Sequence, residues 1–230
     1  MSDRDRVVIC LATYNRLHYA KTTLRSTLDN LETRHEISVH IASDGDPDEY
    51  INTLAEIALS SNKVKHVTHS NSRRRGYGAN MNEAIKMYYS LGDYVLVLED
   101  DWKLIRCLQL DPLIDVLKST ETIGAIRLGY LGFTQKLQGW LEYHCEQMFL
   151  VLDPNSPEHH VFSGHPRLET LKWQLRVGPW PEGRKPGETE FHHATSNPNT
   201  RIGVAWPLNL IRTWGDLYTH IGSISSYIRD

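Results

Sequence analysis

The sequence predicts an α/β fold with a mostly parallel central sheet, helices on both faces and a smaller mixed region towards the C-terminus. From residue 6 to about 128, short apolar runs alternate with amphipathic segments, which is typical of parallel sheets with right-handed crossovers. The first apolar run, over residues 6–12, is continuous, as expected for a strand that is covered on both faces. With 230 residues, of which 40% are hydrophobic, the chain is long enough for one such domain.

Each element of this alternation has its own signal. The first run (RVVICLA) is β-branched and apolar, and the segment after it has leucine and alanine at helical spacing. Pro47 suits the first turn of the second helix, for which Asp46 is a candidate N-cap. The predicted elements are a strand over 6–12, a helix over 17–31, a strand over 37–42, a helix over 47–60, a strand over 64–68, a helix over 78–91 and a strand over 94–98.

After residue 128 the pattern becomes irregular. Residues 131–152 favour antiparallel strands, and residues 166–174 favour a short helix. Residues 178–200 are rich in proline, glycine, asparagine and threonine, so they predict a long loop of the kind that often serves as a lid or binding segment.

Composition narrows the function classes. A formal net charge of −3 argues against bulk electrostatic binding of nucleic acid, although a local basic patch stays open. Three widely spaced cysteines indicate reduced thiols, not a disulfide framework or a zinc site. No apolar run approaches the roughly 18–20 residues of a membrane span, and the charged N-terminus lacks a signal-peptide core. We therefore expect a cytoplasmic protein.

Polar segments directly follow three of the predicted strands: Thr13-Tyr14-Asn15, Ser43-Asp44-Gly45-Asp46 and Glu99-Asp100-Asp101. Because the carboxyl ends of parallel strands meet at one edge, these segments are expected to share a ligand site. The acid cluster (Glu99, Asp100 and Asp101) is self-repelling unless a cation or hydrogen-bond donors offset it. Oxygen ligands suit Mg²⁺ and Mn²⁺, so a metal carrying a diphosphate is expected, and a solvated acidic loop is the alternative.

A basic and glycine-rich stretch precedes the third predicted helix. Gly76 and Gly78 allow close backbone approach, and Asn80 falls in the first helical turn, whose N-terminus attracts anions. Of the three arginines at 73–75, Arg75 is the candidate contact for a diphosphate, while solvent exposure is expected for most of the run. A plain loop with a helix cap is the alternative.

In combination, these motifs resemble the nucleotide-binding half of GT-A-fold glycosyltransferases, most closely the inverting enzymes of family 2. The resemblance is carried by T-Y-N-R at 13–16, S-D-G at 43–45, G-x-G-x-N at 76–80 and E-D-D at 99–101. It covers residues 6–105 well and the remainder only at isolated motifs. It implies a single GT-A domain over 1–230, with a nucleotide-sugar half at 6–105 and an acceptor-side half at 106–230.

The resemblance also implies a metal site. Asp101 would bind the Mn²⁺ or Mg²⁺ ion that bridges the donor phosphates, with Asp100 beside it. Glu99 stands where the family has the first Asp of its DXD motif, and it would contact ribose or metal-bound water. His220, in an H-x-G segment at 220–222, would complete the site.

Base, ribose and acceptor are assigned in the same way. Thr13, Tyr14 and Asn15 would lie beside the nucleotide base, and Asp44 would accept hydrogen bonds from the base or the ribose. The resembled enzymes use an acid well after DXD to deprotonate the acceptor hydroxyl. Here Glu188 takes that position and Glu190 is the reserve, whereas the alternative is that both only cap a helix.

The expected function is a metal-dependent inverting transfer from a nucleotide-diphosphate sugar, UDP-linked by default. The acceptor is open between a glycan, a protein and a hydroxylated DNA base. One alternative is a sugar-nucleotide nucleotidyltransferase, but that class usually has a G-x-G-x-R loop where this chain has A-T-Y-N-R. The other is a nucleotide-sugar-binding module without catalysis.

Overall fold

The computed structural model describes residues 5–129, 136–158, 164–185, 187–212 and 217–223. In these ranges, strands and helices alternate through the first hundred residues as predicted. The strands are β1 Arg6–Thr13, β2 Leu31–Glu32, β3 Glu36–Ser43, β4 Val64–Asn71, β5 Tyr94–Glu99, β6 Trp102–Leu104, β7 Leu108–Gln109, β8 Ala125–Arg127, β9 Gly139–His144, β10 Gln147–Leu152, β11 Arg167–Thr170, β12 Val204–Pro207 and β13 Tyr218–His220.

The helices lie on both sides of the strands. None of those in the described ranges combines the length and the hydropathy needed to cross a bilayer. The helices are α1 Leu17–Asn30, α2 Asp48–Leu59, α3 Tyr77–Leu91, α4 Asp111–Ser119, α5 Leu171–Val177, α6 Glu188–Ser196, a 3₁₀ helix Pro198–Arg201 and α7 Leu208–Arg212.

Nine of the described strands form one sheet in the order β4-β3-β1-β5-β11-β8-β12-β10-β9. The first four are parallel, β11 is antiparallel to both of its neighbours, and the far side is mixed. Thr13 pairs with Ser43, and Ala12 pairs with Glu99. The carboxyl ends of β1, β3 and β5 therefore form one edge, here called the rim.

β1 is covered on both faces, as its sequence predicts. Val7, Ile9 and Leu11 pack in the cluster that includes α1, α2 and α4, whereas Val8 and Cys10 pack towards α3 and α5. All five side chains are fully buried. Burial of a large aliphatic side chain contributes about 1.5–3 kcal/mol, so the strand is a firm base for the loop that follows it.

Two predicted elements of the C-terminal half are only partly right. Over 166–174 the structure has β11 followed by α5, because residues 167–170 hydrogen-bond to β5 on one side and to β8 on the other. Residues 178–200 contain α6 and the 3₁₀ helix, where a loop was predicted, and α6 is held by burial of Thr189, His193 and Ala194. The β9–β10 hairpin confirms the predicted antiparallel strands over 136–152, and residues 131–135 lie outside the described ranges.

A buried ion pair lies in the middle of the sheet. The Nε atom of Arg167 is 2.7 Å from Oε2 of Glu169, and both side chains have no exposed surface. Arg127 on β8 pairs directly with Arg167 across the strands and is 1% exposed. The Arg167 guanidinium also lies 5.8 Å from the Trp180 ring centre. Glu169 therefore offsets positive charge that water does not reach.

We predict that Glu169→Gln strongly destabilises the fold. The substitution keeps the shape but leaves Arg167 buried beside Arg127 without the carboxylate, and removing one partner of a buried pair costs about 3–5 kcal/mol. Urea unfolding followed by circular dichroism measures the loss. The control is Glu121→Gln, because the Glu121–Lys172 pair is 93% and 85% exposed and is expected to have no measurable effect. Equal midpoints for the two variants would contradict the prediction.

Candidate active site

Asp44 joins the end of β3 to the loop that precedes α3. Its carboxylate accepts a hydrogen bond from the hydroxyl of Ser72, and the Gly76 N–H lies 3.1 Å from both of its oxygens. The Arg74 N–H donates to the Asp44 carbonyl at 3.1 Å. Asp44 is 1% exposed. The residue predicted to meet base or ribose therefore also shapes the loop at the rim.

Asp46 fixes the turn after β1, and it does not cap α2. The Asn15 N–H donates to its Oδ1 at 2.7 Å, and the Ser43 hydroxyl donates to its Oδ2 at 2.8 Å. The predicted N-cap is wrong, because Pro47 holds the cap position without a side-chain hydrogen bond. Asn15 has a φ of 56°, a left-handed conformation that asparagine tolerates better than most residues. Burial raises the pKa of Asp46.

The arginine run divides between the rim and the surface. The Arg74 guanidinium lies 6.0 Å from the ring centre of Tyr14. Arg75 points elsewhere: its Nη2 donates to Glu83 at 2.8 Å and its Nε to the Ser72 carbonyl at 3.0 Å. The structure thus brings Arg74, and not Arg75, beside the predicted base-binding tyrosine. A diphosphate contact for Arg75 stays a prediction.

Asp100 is tied to the end of β1. Its Oδ2 accepts from the Thr13 hydroxyl at 2.9 Å and from the Tyr14 N–H at 3.3 Å, and its Oδ1 contacts Nη2 of Arg16. Burial is the main reason that the pKa of Asp100 rises to about 6, and Arg16 opposes the rise. Arg16 was not among the predicted site residues. The available signal was a cation directly after T-Y-N, one residue before α1.

Asp101 and His220 are brought together by a strand pair. β13 runs antiparallel to β6, with His220 opposite Trp102, and the Ile221 N–H donates to the Asp101 carbonyl at 2.8 Å. Nε2 of His220 then lies 3.3 Å from Oδ2 of Asp101. A Cβ atom on Gly222 would lie 2.4 Å from the same oxygen, so the H-x-G segment needs its glycine for this approach.

Glu99 and Glu190 flank Gly164. The Gly164 N–H donates to Oε1 of Glu190, and a Cβ atom on Gly164 would lie 1.7 Å from Oε1 of Glu99. Removal from water, and then the charge of Glu190, raises the pKa of Glu99 well above its usual range. Glu188 begins α6 with an exposed side chain, and the structure does not bring it to this pair. Of the two acids predicted for the base, Glu190 is the one beside the rim.

A short segment at residues 180–184, here called the strap, crosses the first turns of α3. The Asn82 side chain accepts from the Trp180 N–H at 2.8 Å and donates to the Trp180 carbonyl at 3.0 Å. A Cβ atom on Gly78 would lie 2.0 Å from the Pro181 carbonyl oxygen. The Gly78 of the G-x-G-x-N motif thus makes room for the strap, a packing role that the sequence did not reveal.

Asn80 also bonds within the protein. Its Nδ2 donates to the Ala42 carbonyl at 2.8 Å, which ties α3 to the end of β3, and the residue is 2% exposed. Gly76, with a φ of 90°, places its N–H on Asp44. These two predicted ligand residues therefore hold the loop at the rim, and direct contact with a phosphate stays a prediction.

The side chains at the rim that could ligate a metal suit an ion that binds together with a diphosphate. The described ranges hold no group of three or more His, Cys, Asp or Glu side chains placed to bind a metal ion. Asp101 and His220 offer two ligands, and Oδ1 of Asp101 is buried without a hydrogen-bond partner. Mg²⁺ sites commonly use one or two carboxylates and take other oxygens from substrate phosphates and water.

The sequence model of glycosyl transferase family 2 matches residues 8–162, which is more than half of the chain. The chain belongs to this family. The matched range contains all four motifs that carry the resemblance, from T-Y-N-R at 13–16 to E-D-D at 99–101. A comparison with curated proteins found no match.

Solved structures show the same fold at low sequence identity. S. aureus TarS 1–349 in complex with UDP-GlcNAc has a TM-score of 0.63 and 15% identity over 96% of this chain and 61% of that chain. Mannosyltransferase PcManGT from Pyrobaculum calidifontis, in complex with GDP-Man and Mn²⁺, has a TM-score of 0.58 and 16% identity over 93% and 60%. GalNAc-T7 with UDP, GalNAc and Mn²⁺ has a TM-score of 0.55 and 11% identity over 90% of this chain and 43% of that chain. The fold is therefore GT-A, and the chain spans less than two thirds of the length of these proteins.

We predict that Gly78→Ala loosens the strap. Alanine normally favours a helix over glycine by about 1 kcal/mol, but here the added methyl meets the Pro181 carbonyl and forces the strap to move. The expected result is a lower Tm and faster tryptic cleavage after the exposed Arg184. Asn82→Ala, which removes two hydrogen bonds to Trp180 and one to Glu182 without adding bulk, is expected to expose the same cleavage site. A Gly78→Ala protein with wild-type Tm and cleavage rate would show that the contact is not tight.

Proposed function

We propose that this chain is a metal-dependent inverting glycosyltransferase that moves a sugar from a nucleotide-diphosphate sugar to an acceptor hydroxyl. The proposal is supported above all by one observation. The residues predicted to bind the base or ribose and those predicted to bind the metal lie at the same rim. Asp44 and Tyr14 lie at the ends of β3 and β1, and Asp101 with His220 lies after the neighbouring β5. Family membership supports the proposal, as do GT-A relatives whose structures hold UDP-GlcNAc, or GDP-Man with Mn²⁺.

The donor side follows from these positions. Tyr14 offers an aromatic face to a planar base. The Asp44 carboxylate, which already accepts from Ser72 and Gly76, would accept a hydrogen bond from the base or the ribose at its remaining lone pairs. Asp101 and His220 would hold Mn²⁺ or Mg²⁺. Such an ion supplies positive charge where the leaving diphosphate gains negative charge. UDP is the default donor nucleotide, and the comparison proteins include both UDP-bound and GDP-sugar-bound structures.

We assign the base to Glu190 and keep Glu188 as the reserve, which reverses the order that the motif predicts. Inverting transfer needs a carboxylate that takes the acceptor proton on the face opposite the leaving group. Glu190 is half-buried and meets Gly164 next to Glu99, whereas Glu188 points to solvent at the start of α6. Glu190 is therefore the acid that would be nearer to a sugar bound at the rim.

The acceptor is proposed only as a hydroxyl, on a glycan, a protein or a hydroxylated DNA base. Membership of family 2 favours sugar transfer over nucleotidyl transfer. A nucleotide-sugar-binding module without catalysis would bind donor and fail to release the nucleotide. Donor hydrolysis or transfer measured together with binding separates these two functions.

We predict metal-dependent stabilisation by one nucleotide. In a thermal-shift screen of UDP, GDP, dTDP and CDP with Mn²⁺ or EDTA, a nucleotide at about 100 times its Kd raises the Tm by roughly 5–10 °C. The rise is expected with Mn²⁺ only, and Asp101→Asn abolishes it. The control Asp93→Asn removes a charge at the opposite end of β5, where the side chain is 54% exposed, and keeps the shift. No shift with any nucleotide would contradict the proposed donor site.

We predict that Glu190→Gln binds donor normally but loses turnover. Glutamine still accepts the Gly164 hydrogen bond but cannot take a proton at its side chain, so kcat falls by about 10²–10⁴-fold. Glu188→Gln is the matched control in the same helix, and its kcat is expected within twofold of wild type. Donor Kd, measured separately, stays unchanged in both. Full turnover in Glu190→Gln with loss in Glu188→Gln would return the role to Glu188.

A further inference from the structure

Arg16 spans two members of the acid cluster with one guanidinium. Its Nη2 contacts Oδ1 of Asp100, and its Nη1 lies 2.8 Å from Oδ2 of Asp101. The Arg16 side chain is 14% exposed, and those of the two aspartates are 1% and 6% exposed. One guanidinium thus makes charge-assisted hydrogen bonds to two carboxylates, and such bonds are stronger than those between neutral groups.

The backbone delivers Arg16 to this position. The left-handed Asn15, whose N–H donates to Asp46, turns the chain sharply between β1 and α1. Arg16 then stands at the N-cap position of α1, with a φ of −131°, and its own side chain makes no cap hydrogen bond. The guanidinium is thus held at the rim by the turn between β1 and α1, and His220 approaches Asp101 from β13.

We propose, on the basis of the proposed function, that Arg16 is a built-in counter-cation that competes with the divalent metal for Asp101. Oδ2 of Asp101 is already shared by Arg16 and His220, and Oδ1 has no hydrogen-bond partner. Without a nucleotide, a metal ion at Asp101 is repelled by the Arg16 guanidinium, which already neutralises the Asp101 carboxylate. Metal alone therefore binds weakly.

The nucleotide reverses this balance. A diphosphate brings negative charge that both the metal and Arg16 can contact, since a guanidinium suits phosphate oxygens as well as carboxylates. Metal and nucleotide then bind with positive cooperativity, and each raises the affinity for the other by the same factor. Arg16 is thus a competitor of the metal for Asp101 in the absence of the nucleotide and a diphosphate contact in its presence.

Isothermal titration of Mn²⁺ without nucleotide tests the competition directly. Arg16→Gln is expected to bind Mn²⁺ about tenfold or more tightly than wild type, because one nearby positive charge is removed. The control Arg25→Gln makes the same charge change on the exposed side of α1 and is expected to match wild type. Arg16→Lys keeps the charge without the fork and falls between them. The same titration with saturating UDP is expected to show a smaller gain from UDP in Arg16→Gln than in wild type.

The outcomes separate Arg16 from the proposed function. If Asp101→Asn abolishes Mn²⁺ binding and Arg16→Gln matches Arg25→Gln, the metal site stands and the role of Arg16 is refuted. If Asp101→Asn binds Mn²⁺ as tightly as wild type, the metal site of the proposed function is refuted instead. Circular dichroism confirms folding of each variant, and Arg16→Lys decides the question if Arg16→Gln does not fold. In that case a wild-type Mn²⁺ affinity for Arg16→Lys refutes the proposal.

Discussion

Three consecutive carboxylates at the end of β5 repel one another, and the surrounding structure is arranged to offset that repulsion. Thr13 and Arg16 approach from the end of β1, and His220 approaches from β13 near the other end of the chain. The partners therefore come from two separate parts of the fold, the β1–α1 turn and the β6–β13 pair. The acid cluster is therefore tolerated only once the sheet and the β6–β13 pair have both formed.

The same dependence links the two halves of the chain. Glu99 closes the donor-side half, Glu190 lies in α6 of the other half, and Gly164 separates them by the width of one backbone. Asn82 of α3 fixes the strap that leads into α6. The proposed metal ligand Asp101 and the proposed base Glu190 thus lie in parts of the chain that are joined by these contacts.

The fold of residues 6–105 could be predicted from the sequence because the patterns that indicate its strands and turns are local. Continuous apolar strands such as β1 and polar turns such as Ser43–Asp46 are each visible within ten residues, and parallel topology then brings them to one rim. The second half depends on distant partners. The four residues of β11 carry two charges and resemble part of a helix, and only their place between β5 and β8 makes them a strand.

Site residues follow the same division. Asp101 and His220 carry recognisable motifs, and the structure brings them together. Arg16 was visible but had no assigned role, because its partners lie 84 and 85 positions away. The close backbone approach predicted at Gly78 is present, but its partner could not be named, since the strap lies about a hundred residues later and has no motif of its own.

The contact between Gly78 and the strap has a consequence for recombining enzymes of this family. The strap does not pack on a generic helix, because it meets a glycine at 78 and bonds to an amide at 82 of α3. In a chimaera joined at the E-D-D motif, residues 78 and 82 come from one protein and the strap comes from the other. A compatible crossover point lies before α3, so that the helix and the strap come from the same protein.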